Sequence, residues 1–140
     1  MSKAVRFGII GTNTISHTFM SGALQLKDFE LTAVYSRKEE TGRVFGDKYG
    51  VKNIFTDLDK LAKSDLIDAI YIASPNALHY SQAMTFLNSG KHVLCEKAFA
   101  SNLREAEEMI EAARVNNLLI MEGMRSTVVP NFLAIKDNLH

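Results

Sequence analysis

Glu96 and Lys97 stand directly after the apolar run 92–95, where a packed core has no use for two charges. A lysine with a lowered pKa serves as proton donor or acceptor, and an adjacent glutamate can orient or tune it. A surface ion pair is the plainer alternative. Ser36, Arg37 and Lys38 follow another apolar run, 31–35. One hydroxyl beside two cations suits a phosphate, each charge-assisted bond contributing about 1.5–3 kcal/mol, although the same residues also open ordinary solvated helices. A third cluster runs Gly11, Thr12, Asn13, Thr14, Ile15, Ser16, three residues beyond Gly8. Turns that hold a pyrophosphate at a helix N-terminus read G-x-G-x-x-G: a tight turn, a close approach of backbone to ligand, then close packing of helix on strand. Gly11 keeps the first place, Asn13 takes the second and Ser16 the third. Asparagine tolerates positive φ better than other non-glycine residues, so the turn is expected to form and bind an anion. A strand-to-helix turn without a ligand is the alternative. Ser74, Pro75, Asn76 and His79 form a fourth group, again where an apolar run gives way to a helical pattern.

These groups need a scaffold that brings strand ends together. Short branched apolar runs at 5–10, 31–35, 53–55, 69–73, 92–95 and 118–121 alternate with stretches of helical spacing. That order predicts an α/β fold, a doubly wound and mainly parallel sheet with helices on both faces, which binds ligands at the carboxyl ends of its strands. Ile15, Phe19, Ala23 and Leu26 read as the sheet-facing stripe of the first helix, and Leu103, Ala106, Ile110 and Ala113 as that of the helix after Cys95. Asn102 and Glu105 resemble a capping pair, and Gly50 and Gly90 sit where left-handed helix ends are expected. The dinucleotide-binding domain is expected over 1–122, with 123–140 a linker and the start of a second domain. Pro130 there precedes a short helical pattern, 132–139.

Sixteen basic and sixteen acidic residues cancel without blocks of like charge, so no nucleic-acid or lipid footprint is expected. No apolar segment approaches the roughly 20 residues that span a bilayer. One cysteine, Cys95, excludes an internal disulfide framework and fits a reducing, cytoplasmic setting. His17, His92 and His140 have no second ligand at metal spacing, so no metal is expected.

From RFGIIGTNTIS through AVYSR, IDAIYIASPNALHY and GKHVLCEKAFASNLREAEEMIEAAR to MRSTVVPNF, the chain resembles the Gfo/Idh/MocA oxidoreductases. The resemblance implies a Rossmann domain binding NAD(P), with Gly8, Gly11, Thr12, Asn13, Thr14 and Ile15 at the phosphates. Ser36, Arg37 and Lys38 match members that prefer NADP, with NAD the alternative. It places Ser74, Pro75, Asn76 and His79 along the nicotinamide side, and makes Lys97, with Glu96, the catalytic pair of the family's Glu-Lys-Pro motif; Ala98 replaces the proline. It implies hydride transfer to or from a sugar, cyclitol or similar small molecule, and Arg125 near that substrate. The 140 residues are expected to bind dinucleotide without turning over substrate alone, and a homo-oligomer is plausible where apolar surface is left uncovered. Two rival readings are a dinucleotide-responsive regulatory module, favoured by Asn13 and Ala98, and an S-adenosylmethionine methyltransferase, disfavoured because Ser36 and Arg37 replace an acidic ribose partner.

Overall fold

A computed structural model describes residues 3–125 and 129–137; His140 lies outside the described residues, as does the rest of 126–128 and 138–140. Six strands form one parallel sheet: β1 (Val5–Ile10), β2 (Phe29–Tyr35), β3 (Asn53–Phe55), β4 (Ala69–Ile72), β5 (His92–Cys95) and β6 (Ile120–Glu122). Their order is β3-β2-β1-β4-β5-β6, so the chain reverses its direction of travel between β1 and β4. Parallel pairing needs crossovers, supplied by α1 (Thr14–Ala23), α2 (Glu39–Tyr49), α3 (Leu58–Ala62), α4 (His79–Asn88) and α5 (Leu103–Val115); α6 (Pro130–Asp137) follows β6. The crevice at such a reversal, outside the carboxyl ends of the strands, is where open α/β sheets bind ligands.

Period-two alternation divides the core between the two faces. Ile10, Ile70, Ile72, Val93 and Cys95 pack with α3, α4 and α5 residues such as Leu61, Phe86 and Met109. Ile9, Val34, Tyr71 and Ala73 pack with Met20 of α1 and Phe45 of α2. At the amino edge, away from the crevice, Arg6 grips Asp68 with three bonds, Nη2 to Oδ1 at 2.6 Å, and Nε at 3.0 Å and the main-chain N–H at 2.9 Å to Oδ2. The Arg6 guanidinium holds the Asp68 carboxyl down from its ordinary 3.8 to about 2.

Several boundaries follow the expected chemistry. Gly50 and Gly90 take left-handed φ of 74° and 76° at helix ends. The Asn102 side chain accepts from the Glu105 N–H at 3.0 Å, while the Glu105 carboxylate accepts from the Ser101 N–H at 3.1 Å. The last strand begins at Ile120 rather than 118 because Asn117, at φ 53°, closes α5 and the Leu118 N–H is spent on the Ala113 carbonyl.

Helices α1 and α5 each bury only part of the expected stripe: Phe19 packs on Tyr71, and Ala23 and Ala113 are buried, while other members are exposed. The buried residues of α1 are Ser16, Met20 and Ala23, whereas Ile15 and Leu26 are 48% and 64% exposed. A small residue is needed where α1 begins against the turn, and seating Ser16 there turns Met20 and Ala23 onto the sheet. In α5, Met109 and Ala113 are buried, while Leu103 and Ile110 face outward.

Candidate functional site

The carboxyl edge of β1 is a strained turn. Gly11 has φ 97°, a value L side chains rarely adopt, and a Cβ there would lie 2.6 Å from the Ala73 carbonyl oxygen at the end of β4. The first glycine of the motif is therefore required twice, by its own torsion and by its neighbour strand. Asn13 works differently from the expectation: its φ is −88°, so no left-handed conformation is needed. It is the N-cap of α1, its Oδ1 accepting from the Ser16 N–H at 3.2 Å and its Nδ2 donating to the Ala73 carbonyl at 2.7 Å. Ser16, fully buried, donates its hydroxyl to the Gly11 carbonyl at 2.8 Å. Side-chain hydrogen bonds thus hold a turn that glycines usually permit.

What remains at this turn suits an anion. The N–H groups of Thr14 and Ile15 stand in the first turn of α1, where helix geometry provides no acceptor. Thr12 is half-buried; Asn13, Thr14 and Ile15 are exposed. Gly8 lies elsewhere, inside β1, where a Cβ would meet Ile70 and Ile67; its absent side chain serves packing and not the turn.

Ser36, Arg37 and Lys38 occupy the next edge, between β2 and α2. Arg37 and Lys38 are exposed, and among the described residues neither has an ion-pair partner, whereas Arg43 nearby is bound to Glu39. Two uncommitted cations and a half-buried serine therefore stand one strand from the Gly11 turn. A phosphate-bearing dinucleotide fits this donor set, since its charges would meet N–H groups and cations on one edge of the sheet.

The β4 and β5 ends complete the edge. Pro75 and Asn76 are exposed in a single 3-10 turn, and the Ser74 hydroxyl donates to Gln82 Oε1 at 2.6 Å. His79 is wholly buried, with Nδ1 2.8 Å from the Ala98 carbonyl and Nε2 2.9 Å from that of Ser74. Both ring nitrogens are engaged by the protein, so the ring ties the β4 loop to the β5 loop and presents no free nitrogen to a ligand. Lys97 is exposed and has no ion-pair partner among the described residues; the Lys97–Ala98 peptide is cis.

Glu96 holds Lys97 by its main chain, its Oε2 accepting from the Lys97 N–H at 3.3 Å. Its other oxygen accepts from the Tyr71 hydroxyl at 2.7 Å. Burial, and then the bond to Glu96, push the Tyr71 phenol up from its ordinary value. Tyr71 lies in the apolar run 69–73 and is not among the expected site residues; the usable signal was a tyrosine in a fully buried strand, whose hydroxyl needs a partner. Beside this pair an open groove of about 990 Å³ runs along α1, lined by Phe7, Ile15, Phe19, Leu94, Lys97 and Arg125 among others. The outward stripe of α1 lines this groove.

Residues 5–124 match the family described as an oxidoreductase family with an NAD-binding Rossmann fold. The chain belongs to the Gfo/Idh/MocA oxidoreductases. Among the relatives of this Gfo/Idh/MocA domain, scyllo-inositol 2-dehydrogenase (NADP(+)) IolU of Bacillus subtilis is 54% identical over 136 residues, covering 97% of this chain and 42% of IolU. YgjR of Escherichia coli, an uncharacterized oxidoreductase, is 43% identical, with 96% of this chain and 41% of YgjR covered. Among solved structures, KijD10, a 3-ketoreductase from Actinomadura kijaniata in complex with TDP-benzene and NADP, superposes with a TM-score of 0.91 at 28% identity, over 98% of this chain and 42% of that one. Scyllo-inositol dehydrogenase from Lactobacillus casei, with NAD(H) and scyllo-inositol, gives 0.87 at 25% identity, over 96% and 40%. The chain spans about two fifths of the length of these relatives. It is an NAD(P)-binding oxidoreductase domain, and no helix among its described residues is long and apolar enough to cross a membrane.

Proposed function

We propose that this domain binds NADP in preference to NAD and forms the nucleotide half of an oxidoreductase acting on the hydroxyl or carbonyl group of a sugar or cyclitol. The observation that carries the reading is the pair of uncommitted cations, Arg37 and Lys38, one strand from the phosphate turn of Gly11 and Asn13. The 2′-phosphate of NADP would meet the Ser36 hydroxyl and these two cations, and the pyrophosphate would meet the N–H groups of Thr14 and Ile15. Pro75 and Asn76 would flank the nicotinamide. The dinucleotide supplies the hydride chemistry. Lys97, exposed at the same edge with its main chain fixed by Glu96, would hold or release the proton at the reacting oxygen. Residues 1–122 make up the nucleotide domain in this reading, with 123–140 leading towards the substrate side, and the protein works in the cytoplasm. The relatives named for scyllo-inositol support a polyol substrate.

Calorimetry with NADPH and NADH on the chain and on Arg37→Ala tests the reading. Removing one charge-assisted hydrogen bond to the 2′-phosphate should weaken NADPH binding by about tenfold or more and leave NADH nearly unchanged. Equal affinities for the two cofactors in the parent chain would overturn the NADP preference.

A further inference from the structure

The Glu96 carboxylate and the Lys97 ammonium are neighbours in sequence, carry opposite charge, and form no ion pair. The β4–β5 register explains what holds them apart. Tyr71 pairs with Leu94, so Tyr71, Leu94 and Glu96 share the sheet face that looks toward α1. Glu96 lies back over that face to reach the Tyr71 hydroxyl, and its carboxylate fills the space beside Gly123, where a Cβ would fall 2.9 Å from Oε1. Tyr71 is itself immobile: its ring is 1% exposed and stacks on Phe19 at 3.9 Å and 12°. A bond from a buried phenol to a carboxylate outweighs an ion pair made in solvent, so the carboxylate stays with the tyrosine.

We propose that Tyr71 is a positioning residue for Lys97: by anchoring Glu96 against the sheet it keeps the carboxylate from neutralising the Lys97 ammonium, which stays available to a ligand. The inference rests on the proton-transfer reading of Lys97 given above. The other titratable groups around the pair are committed or remote in kind: Cys95 faces the opposite side of β5, Glu122 Oε1 accepts from the Phe99 N–H at 2.9 Å, and Arg125 is a cation like Lys97. Glu96 is thus the carboxylate nearest in sequence to Lys97 and the one that a single hydroxyl restrains. Neither motif residue reveals this, because Tyr71 is 25 residues away and is joined to Glu96 only by strand pairing.

The test follows the Lys97 ammonium directly. Lysines of the chain are reductively methylated with ¹³C, the Lys97 signal is assigned from Lys97→Arg, and its titration midpoint is read by NMR in the parent chain, Tyr71→Phe, Glu96→Gln and the double variant. Tyr71→Phe keeps the ring that stacks on Phe19 and removes only the hydroxyl. It should raise the Lys97 midpoint by about half a pH unit or more, roughly threefold in proton affinity, because the freed carboxylate moves to the ammonium. Adding Glu96→Gln should remove that rise. A smaller rise in Tyr71→Phe, or one that survives in the double variant, overturns the proposal. Should Tyr71→Phe fail to fold, Glu96→Gln alone decides: a fall below about half a unit supports a carboxylate already turned away, and a larger fall overturns it. Failure of the NADP reading would instead appear as equal NADPH and NADH affinities, with the Lys97 titration unaffected.

Discussion

Gly11→Ala measures how much of the β1–α1 turn is held by one backbone approach. At φ 97° an alanine pays for a torsion that L residues avoid, about 1–3 kcal/mol. Its Cβ would also stand 2.6 Å from the Ala73 carbonyl oxygen, where ordinary C···O contacts begin near 3.3 Å, so the two strand ends must part by roughly 0.7 Å. That same oxygen accepts the Asn13 Nδ2 bond at 2.7 Å, which would be stretched and lose roughly 0.5–1.5 kcal/mol. The sum predicts a loss of about 2–4 kcal/mol, a large part of the stability of a domain this size. Urea unfolding followed by circular dichroism gives the value. Because the two strand ends share the Ala73 carbonyl, the substitution should cost less in an Asn13→Ala background, by about the worth of the stretched bond. A loss under about 1 kcal/mol, or strict additivity with Asn13→Ala, would refute the claim that the turn is built around that carbonyl.

The Arg6–Asp68 pair makes stability depend on acid. Asp68 titrates near 2 in the fold against 3.8 ordinarily, so its contribution is complete above pH 3.8 and is lost as pH falls through 2. With side chains 30% and 35% exposed, solvent screening reduces the contribution to about 1 kcal/mol, and Asp68→Asn should flatten that part of the urea-stability profile; an unchanged slope would contradict it. His79→Ala removes a buried ring and its bridge between the Ala98 and Ser74 carbonyls, predicting a loss of roughly 2–4 kcal/mol in thermal or urea unfolding, while Asn76→Ala beside it should stay within about 0.5 kcal/mol. Equal effects would show that the ring is no strut. Burial, with nearby Glu96 and Glu122, pushes the Cys95 thiol up to about 12, so a disulfide reagent at pH 8 should label it only after unfolding; rapid labelling of the native chain would count against the buried placement.

The sequence alone determined the sheet, the order of its elements and the strand edge on which its candidate groups stand. Branched apolar runs of strand length, punctuated by glycines that only left-handed helix ends require, leave little choice but alternating parallel strands and helices; Gly50, Gly90 and Asn102 act locally, within a few residues, and were legible for that reason. The placement of Gly11, Arg37 and Lys97 at strand ends was legible too, because a motif's spacing along the chain is also its spacing around one strand end. The tertiary structure decided what each of these residues touches. Asn13 caps α1 locally through the Ser16 N–H, but its amide is pinned to Ala73, 60 residues away. His79 was turned inward by two carbonyls from different loops, and Ile15, Leu103 and Ile110 were left exposed because Met20 and Met109 take the buried positions of their helices. Tyr71 acquired a partner only when β4 was laid beside β5 in one register. Spacing along the chain fixes which side chains share an element, but contacts between strands depend on register and helix rotation, which are settled by the packing of the whole core.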